Sequence, residues 1–320
     1  MSMFHIISTI NGQTNEGMRN VATHIAKSME RQHHMVCRSG LKNIPQIIKY
    51  SRLCGTTLIF AKANKPVYWL ARFTSAFSKN LWIVCVQKPE EYFLEHAKEH
   101  PLNANYLALR PQDIAGVELA PGFRKETFSV GINTKKFKPV TKEEQKKLKE
   151  KYGFSADKPL VIHVGHCSSG RRLEDFGFLE NCEKLVVASG MFESEEVVKV
   201  LRDHNVRIMS GYIENVEEIY QMADVYFFPT LSTEHVISVP LSVMEALACG
   251  TPVIAYRDFE PVKGIKAEED AVLLLDSWNQ LQEAIPAAAA RKADRCFLTE
   301  PKSWEEAANE VIETVERDKQ

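Results

Sequence analysis

The chain has 320 residues, 44% hydrophobic and 26% charged, with seven cysteines and a formal net charge of −2. A soluble globular protein of this length has room for two domains, and no segment approaches the roughly 20 apolar residues that a membrane-spanning helix needs. The scattered cysteines follow no apolar N-terminal signal region and lack metal-type spacing, so we expect reduced thiols in a cytoplasmic protein rather than a disulfide framework.

Short apolar runs alternate with amphipathic runs through the first half of the chain. The pattern predicts strands and helices in turn at residues 3–8, 18–29, 35–38, 57–61, 67–77 and 81–87. Such alternation favours a parallel sheet with helical crossovers. The pattern breaks near residues 131–139 and a lysine-rich, helix-prone run follows at 142–152, so we predict a first domain over residues 1–139.

The second half repeats this organisation and predicts a second doubly wound domain over residues 140–302. Its strands are expected at residues 160–165, 184–188, 206–209, 225–228, 252–255 and 271–275. In open α/β sheets the ligand lies beyond the carboxyl ends of the strands, so two such domains facing each other would hold it in a central cleft. Residues 303–320 begin with the capping-box pair Ser303 and Glu306 and are expected to form a helix that packs back toward the first domain.

Charge is distributed unevenly between these two halves. Residues 1–139 carry 19 Lys and Arg against 9 Asp and Glu, a formal charge of +10, whereas residues 140–320 carry 21 against 33, or −12. A basic half can serve an anionic partner such as phospholipid headgroups, a phosphorylated glycan or nucleic acid. Equally, the two halves can attract each other across a cleft.

The loop at residues 165–172, with sequence GHCSSGRR, is a candidate phosphate site. It leaves the first strand of the second domain, and the guanidinium of Arg171 can make bidentate contacts to phosphate oxygens. His166 is a weaker candidate, because a single histidine after a strand is more often structural. The alternative is a solvated surface loop.

A second candidate site follows the strand at residues 225–228. Glu234 lies in the next loop, and Pro240 fits the first turn of a helix that carries Glu245. The amides around Leu241 to Val243, with the Ser242 hydroxyl, could bind a phosphate. Two carboxylates at this sheet edge could accept hydrogen bonds from the hydroxyls of a sugar and a ribose. Because the neighbours of Glu245 are apolar, we expect a buried carboxylate that needs partners rather than a surface glutamate.

Two further segments carry weaker signals. Residues 11–19 contain Gly17 at the start of a helix, where the backbone could approach a ligand, although an ordinary turn explains this segment equally well. Residues 62–82 combine aromatic and basic side chains, which favours a core helix over a membrane-surface helix. No zinc spacing, phosphate loop with Gly-Lys-Ser/Thr or Gly-x-Ser-x-Gly elbow is present in the sequence.

Taken in order, these segments resemble the retaining GT-B glycosyltransferases of the family 4 type. The matching segments are the glycine loop and first helix at residues 16–27, the linker at 130–139, the strand and loop at 161–172, the stretch at 211–229, and the start of the terminal helix at 303–305. The resemblance implies two Rossmann-like domains and a nucleoside diphosphate sugar as donor substrate. It also implies transfer without a metal or a separate cofactor.

Position by position, the resemblance assigns roles to the candidate residues. It places Gly17 against the donor diphosphate and Arg171 where the family has a phosphate-binding lysine. Glu245 matches the second glutamate of the Glu-x7-Glu motif, which holds the ribose. The remaining nucleotide-sugar contacts are expected from Gly165, Tyr212, Leu241 and Ser242.

Two positions depart from the family pattern. His166 stands where the family has arginine, so one phosphate cation becomes titratable near neutral pH. The residue eight positions before Glu245 is Ile237, and Glu234 can replace the missing glutamate only if the loop bulges. The first domain is also short for the family.

These observations predict a hexosyltransferase in which Arg171 and His166 stabilise the departing diphosphate and Glu234 orients the hexose. The expected acceptor is a glycan or a lipid-linked sugar, taken at an anionic membrane surface on the cytoplasmic side. We do not expect nucleic acid as a partner. Two alternatives stay open: a nucleotide-sugar-binding partner subunit without transfer activity, and a sugar-nucleotide epimerase of the GT-B type, which needs no acceptor.

Overall fold

The computed structural model describes residues 1–9, 17–188, 193–211, 213–232 and 236–317. The chain divides into two compact units, each with one six-stranded parallel sheet. The first unit contains Met1–Gly131, Val236–Val239 and Lys302–Gln320, and the second contains Ile132–His235 and Pro240–Pro301.

The first unit alternates strands and helices along most of its length. Its elements are β1 (Met3–Ser8), α1 (Gly17–Arg31), β2 (Met35–Gly40), α2 (Ile44–Leu53), β3 (Thr56–Phe60), α3 (Lys65–Ser75), β4 (Leu81–Cys85), α4 (Glu91–Glu99), β5 (Asn105–Ala108) and β6 (Lys125–Thr127). The strand order is β2-β1-β3-β4-β5-β6. Strands β3 and β4 are buried along their whole length, as expected for parallel strands covered on both faces.

Local sequence signals start the two helices that flank β3. The side chain of Asn43 accepts a hydrogen bond from the amide of Gln46 at 3.3 Å, and Asn64 accepts one from Val67 at 3.2 Å. A proline follows each cap within the first turn, where its missing N–H costs nothing. These caps fix where α2 and α3 begin.

The last helix of the chain also belongs to the first unit. It is α11, Trp304–Glu316, and it begins with the predicted capping box, in which the amide of Glu306 donates to the Ser303 hydroxyl at 3.2 Å. The Trp304 ring stacks on His24 of α1 with centroids 4.6 Å apart. The capping box prediction is therefore confirmed.

The second unit begins with α5 (Lys142–Lys151) and has the doubly wound order that the sequence predicts. Its other elements are β7 (Leu160–Gly165), β8 (Glu183–Ala188), α6 (Glu195–Asp203), β9 (Arg207–Ser210), α7 (Val216–Met222), β10 (Val225–Phe228), α8 (Leu241–Ala248), β11 (Val253–Tyr256), α9 (Glu260–Lys263), β12 (Val272–Leu275) and α10 (Leu281–Ala289). The strand order is β12-β11-β10-β7-β8-β9.

The order of strands in this second sheet reverses between β7 and β10. The chain runs outward from β7 through β8 to β9 and then returns to pair β10 with the other side of β7. Ligands of open α/β sheets bind at this kind of switch point, outside the carboxyl ends of the strands. Side chains that follow β7 and β10 are therefore the first to consider for function.

Asp224 fixes the opposite, amino-terminal edge of these two strands. Its carboxylate accepts hydrogen bonds from the Leu160 amide at 2.7 Å, from Gln145 at 2.9 Å and from the Lys149 ammonium at 2.6 Å. Lys149 is buried on α5. One carboxylate thus joins α5 to the starts of β7 and β10.

We predict that Asp224→Ala lowers the free energy of unfolding by about 3–5 kcal/mol, because it leaves the buried Lys149 ammonium without its carboxylate. Urea denaturation checks the change. The control is Asp203→Ala, at an exposed position at the end of α6, with an expected effect within about 0.5 kcal/mol. Equal effects of the two substitutions would contradict this account of Asp224.

Candidate functional site

A buried neutral histidine lies at the carboxyl end of β7. The Nδ1 atom of His163 lies 3.1 Å from the Phe227 carbonyl oxygen, and because a carbonyl only accepts, Nδ1 carries the proton. Burial lowers the pKa of His163 to about 3, so the ring is neutral at physiological pH. A Cβ atom at Gly165 would lie 3.1 Å from its Nε2 atom, which explains the glycine at this position.

Arg171 and His166 lie in the loop after β7, and both are buried. After the larger effect of burial, the hydrogen bond to the Phe227 carbonyl raises the pKa of His163, whereas Arg171 and His166 lower it. Burial also lowers the pKa of Arg171, whereas Tyr226 nearby raises it. Both side chains are therefore buried in the loop at the switch point, in contrast to the solvated loop considered as the alternative. A buried guanidinium suits a site that receives an anion.

Arg172, next to Arg171, has a different role. Its guanidinium forms an ion pair with Asp175 at 3.2 Å and lies 5.0 Å from the centre of the Tyr256 ring. The Tyr256 hydroxyl also donates a hydrogen bond to Asp175. This second arginine thus stabilises the loop, and Arg171 is the better candidate for a ligand contact.

Glu245 lies on α8, and its carboxylate accepts a hydrogen bond from the Tyr220 hydroxyl at 2.9 Å. Burial raises the pKa of Glu245 to about 7; the hydrogen bond from Tyr220 lowers it and the charge of Glu217 raises it. The residue as a whole is partly exposed. The expected burial of the apolar neighbours on α8 is confirmed, and Glu245 has the polar partner that burial demands.

Tyr220 was missed by the sequence analysis. It is completely buried on α7, its ring makes an edge contact with Phe137 at 5.8 Å, and its carbonyl accepts a hydrogen bond from Thr251 at 2.7 Å. The only signal in the sequence was that a buried Glu245 needs a partner. Nothing in the sequence indicated that the partner lies 25 residues earlier, on a different helix.

Tyr226 links the strands of the switch point to the start of α8. Its hydroxyl lies 3.1 Å from the Val164 carbonyl and 2.8 Å from the Ser242 hydroxyl. The phenol has one proton, so when it donates to the carbonyl, Ser242 donates to Tyr226. The Ser242 hydroxyl must turn away from Tyr226 before it can donate to a ligand.

The start of α8 offers fewer amides than expected. The Val243 amide donates to the Pro240 carbonyl at 3.2 Å, so the expectation that this amide is unpaired is wrong. The reason is that α8 begins with a tight turn at Pro240. The amides of Leu241 and Ser242 are left as the candidates for an anion.

In the first unit, Gly17 is the first residue of α1 and lies against Ile237. A Cβ atom at Gly17 would lie 3.1 Å from the Ile237 side chain. The next residue, Ser238, donates its amide to the Val86 carbonyl at 2.7 Å. The position eight residues before Glu245 is thus an apolar packing position.

Three of the predicted parts of the site lie outside the described residues. These are Glu234, Tyr212 and residues 11–16.

Within the described ranges, no three His, Cys, Asp or Glu side chains are grouped so as to hold a metal ion. Over the same ranges, none of the helices is both long enough and apolar enough to cross a bilayer.

Sequence comparisons match part of this chain. The family profile described as Glycosyl transferases group 1 matches residues 177–291. EpsD of Bacillus subtilis is 22% identical over 156 residues, which cover 44% of this chain and 38% of EpsD. The alpha-galactosylglucosyldiacylglycerol synthase of Streptococcus pneumoniae is 24% identical over 148 residues, which cover 42% of this chain and 38% of the synthase. The matched segment therefore spans about two fifths of the length of these relatives.

Solved structures match almost the whole chain. HepE of Anabaena in complex with UDP-glucose has a TM-score of 0.75 at 12% identity and covers 99% of this chain and 100% of HepE. WaaG, a glycosyltransferase involved in lipopolysaccharide biosynthesis, has a TM-score of 0.61 at 14% identity and covers 98% of this chain and 95% of WaaG. Together with the two six-stranded parallel sheets, these likenesses show that the chain has the GT-B fold of two Rossmann-like domains.

The raised pKa of Glu245 predicts a pH-dependent stability. The ordinary pKa of 4.5 rises to about 7 on folding, so the stability from this group is present below pH 4.5 and is lost as the pH rises through about 7. Glu245→Gln removes the titration. We expect the stability of the wild type relative to this variant to fall by roughly 3 kcal/mol between about pH 4.5 and about pH 8, measured by urea denaturation.

Tyr220→Phe supplies the second arm of this measurement. It removes the hydrogen bond that lowers the pKa of Glu245, so the loss of stability should move to higher pH. The comparison uses Tyr220→Phe with and without Glu245→Gln. If the midpoint of the pH-dependent loss of stability is the same in Tyr220→Phe as in the wild type, the hydrogen bond assigned between Tyr220 and Glu245 is contradicted.

Proposed function

We propose that this chain is a retaining glycosyltransferase of the family 4 type that uses a nucleoside diphosphate sugar as donor. The observation that carries the proposal is that Arg171 and His166 are buried in the loop after β7, next to β10, whose Tyr226 contacts Val164 and Ser242. Glu245 is held by Tyr220 on the adjoining helices. The profile match over residues 177–291 lies in the second unit except for Val236–Val239, and the second unit holds all of these side chains. HepE was solved with UDP-glucose, so UDP-glucose is the first donor to test.

The ribose contact is assigned to Glu245. An ionised carboxylate accepts hydrogen bonds from two vicinal hydroxyls, and one oxygen of Glu245 already accepts from Tyr220. Because the pKa of Glu245 is about 7, donor binding should weaken as the pH falls below neutrality.

The diphosphate contact is assigned to Arg171 and His166, with the amides of Leu241 and Ser242. During transfer the bond from sugar C1 to the diphosphate oxygen breaks and its electron pair leaves with the diphosphate. The acceptor hydroxyl forms the new bond to C1 and gives up its proton to an oxygen of the departing diphosphate. Cations and amides that are already in position stabilise the charge that develops on the leaving group, which is usually the largest catalytic contribution.

The contact to the donor hexose is assigned to Glu234. Ile237 occupies the position of the first glutamate of the motif and packs against Gly17, so it offers no acceptor for sugar hydroxyls. Glu234 lies three residues earlier and is the nearest carboxylate in this loop. The same packing of Ile237 favours a second candidate function, a nucleotide-sugar-binding subunit without transfer activity.

For the acceptor we propose a lipid-linked sugar or an anionic glycan on the cytoplasmic side of a membrane. The basic first half of the sequence supports this choice. One relative is named as a synthase of a glycosylated diacylglycerol. We expect transfer without a bound metal, so activity should survive the addition of a chelator.

Release of UDP from UDP-glucose tests the proposal. Arg171→Ala should lower turnover at least about tenfold, because the charge on the departing diphosphate loses its guanidinium partner. Arg171→Lys keeps the charge but not the bidentate geometry and should give an intermediate rate. The matched control is Arg202→Ala, an exposed position on α6, with unchanged turnover expected. Unchanged kinetics in Arg171→Ala would remove this residue from the site.

The same assay separates transferase from binder through Glu234→Gln. Loss of turnover with retained UDP binding supports Glu234 as the hexose contact. UDP binding by the wild type without release from UDP-, GDP- or ADP-sugars, with and without anionic vesicles, would instead support the non-catalytic subunit.

A further inference from the structure

A long segment of the first unit has no negative charge. Between Glu30 and Glu90 the sequence contains ten Lys and Arg and not one Asp or Glu. This segment includes α2 and α3, which pack on the same side of the first sheet. The positive charge of the first half of the chain is therefore concentrated rather than spread evenly.

The same two helices expose an unusual share of large apolar side chains. Of eight such side chains exposed in the described residues, four belong to α2 or α3: Ile44 at 42%, Leu53 at 56%, Trp69 at 52% and Phe73 at 38%. Helix α3 is apolar on two sides, since Val67, Tyr68 and Ala71 face the core while Trp69 and Phe73 remain outside. Core packing, predicted for residues 62–82, accounts for only the first of these sides.

Three of these exposed side chains, Ile44, Trp69 and Phe73, line a groove of about 430 Å³ between the two helices. Its walls are Leu41, Lys42, Ile44, Pro66, Trp69, Leu70 and Phe73. Leu41 and Lys42 directly follow β2, and Pro66 follows β3, so the groove opens at the carboxyl-end edge of the first sheet. Gly17, which follows β1 between these two strands, lies at the same edge.

Lys42 lines the groove, and further basic side chains lie on α2 and α3 or next to them. Six of them are exposed and, within the described residues, form no ion pair: Lys42, Lys49, Arg52, Lys65, Arg72 and Lys79. Three others in the segment are paired, as Arg31 with Glu305, Arg38 with Glu30 and Lys62 with Glu90. The tenth, Lys88, is exposed after β4 and is not counted with the six. We use the name α2–α3 face for the apolar groove together with the six exposed, unpaired cations named above.

We propose that the α2–α3 face docks on the surface of an anionic lipid membrane. Each exposed Lys or Arg near a negatively charged bilayer favours binding, and Trp, Phe, Ile and Leu side chains favour insertion at the boundary of headgroups and acyl chains. Nucleic acid would match the positive charge, but it would not bury the exposed apolar side chains of Ile44 and Leu53. The proposal rests on the proposed function in one respect, since it names the surface from which a lipid-linked acceptor is taken.

Flotation with vesicles tests this docking without donor or acceptor. The wild type should bind vesicles of equimolar phosphatidylcholine and phosphatidylglycerol, bind phosphatidylcholine alone at least about tenfold more weakly, and dissociate as salt rises above about 0.1 M. Trp69→Ser with Phe73→Ser should lower binding at least about tenfold. Lys42→Gln with Arg72→Gln, at exposed positions that leave the core intact, should do the same at low salt.

The control is Trp278→Ser, which removes a tryptophan of 43% exposure from the second unit. Its vesicle binding should equal that of the wild type. UDP binding, measured separately, should be unchanged in all of these variants, so failure of the nucleotide site and failure of the membrane face give different results. Absent binding to anionic vesicles, an equal loss in Trp278→Ser, or displacement of vesicles by duplex DNA would each overturn the proposal.

Discussion

The chain passes β7, runs outward through β8 and β9, and returns to the other side of β7 as β10. Loops that leave the carboxyl ends of two adjacent strands in opposite directions open a crevice between them. The candidate site depends on this constraint, because Arg171 and His166 follow β7 while α8 follows β10. Tyr226 spans the crevice from β10, with hydrogen bonds to both the β7 backbone and Ser242.

Burial sets the electrostatics of this crevice. It keeps His163 neutral and lowers the pKa of Arg171, yet raises the pKa of Glu245 to about 7. The result is a cation next to a neutral ring and a carboxylate that titrates near physiological pH. We propose that this cation contacts the diphosphate of a nucleoside diphosphate and that this carboxylate contacts its vicinal ribose hydroxyls. The proposed match is chemical and does not depend on sequence identity to any relative.

Several elements could be predicted from the sequence because their apolar runs are short, β-branched and bounded by turn residues. Strands β1, β7 and β10 have the predicted limits. Strand β6 was missed because its residues, Lys125–Thr127, are polar and only three in number. Helix α2 was missed because its apolar pattern is interrupted by lysine, tyrosine and serine, and its start is decided by the Asn43 cap.

The candidate site was harder to predict than the fold. Arg171 and Glu245 carry recognisable local signals, a loop after a strand and a carboxylate in an apolar helix. Tyr220 carries none, since its contact with Glu245 depends on how α7 and α8 pack. The sequence shows that Ile237 occupies the position of the first glutamate of the motif. The packing of Ile237 against Gly17 could not be predicted, because it is a contact between distant parts of the sequence.

The most direct test of the central claim is a crystal structure of the chain with UDP. We predict that the ribose hydroxyls donate to the Glu245 carboxylate, that Tyr220 keeps its hydrogen bond to the same group, and that Arg171 contacts the diphosphate. A structure in which UDP binds elsewhere, with Glu245 bonded to Tyr220 alone, would contradict the assignment of the switch point as the nucleotide site.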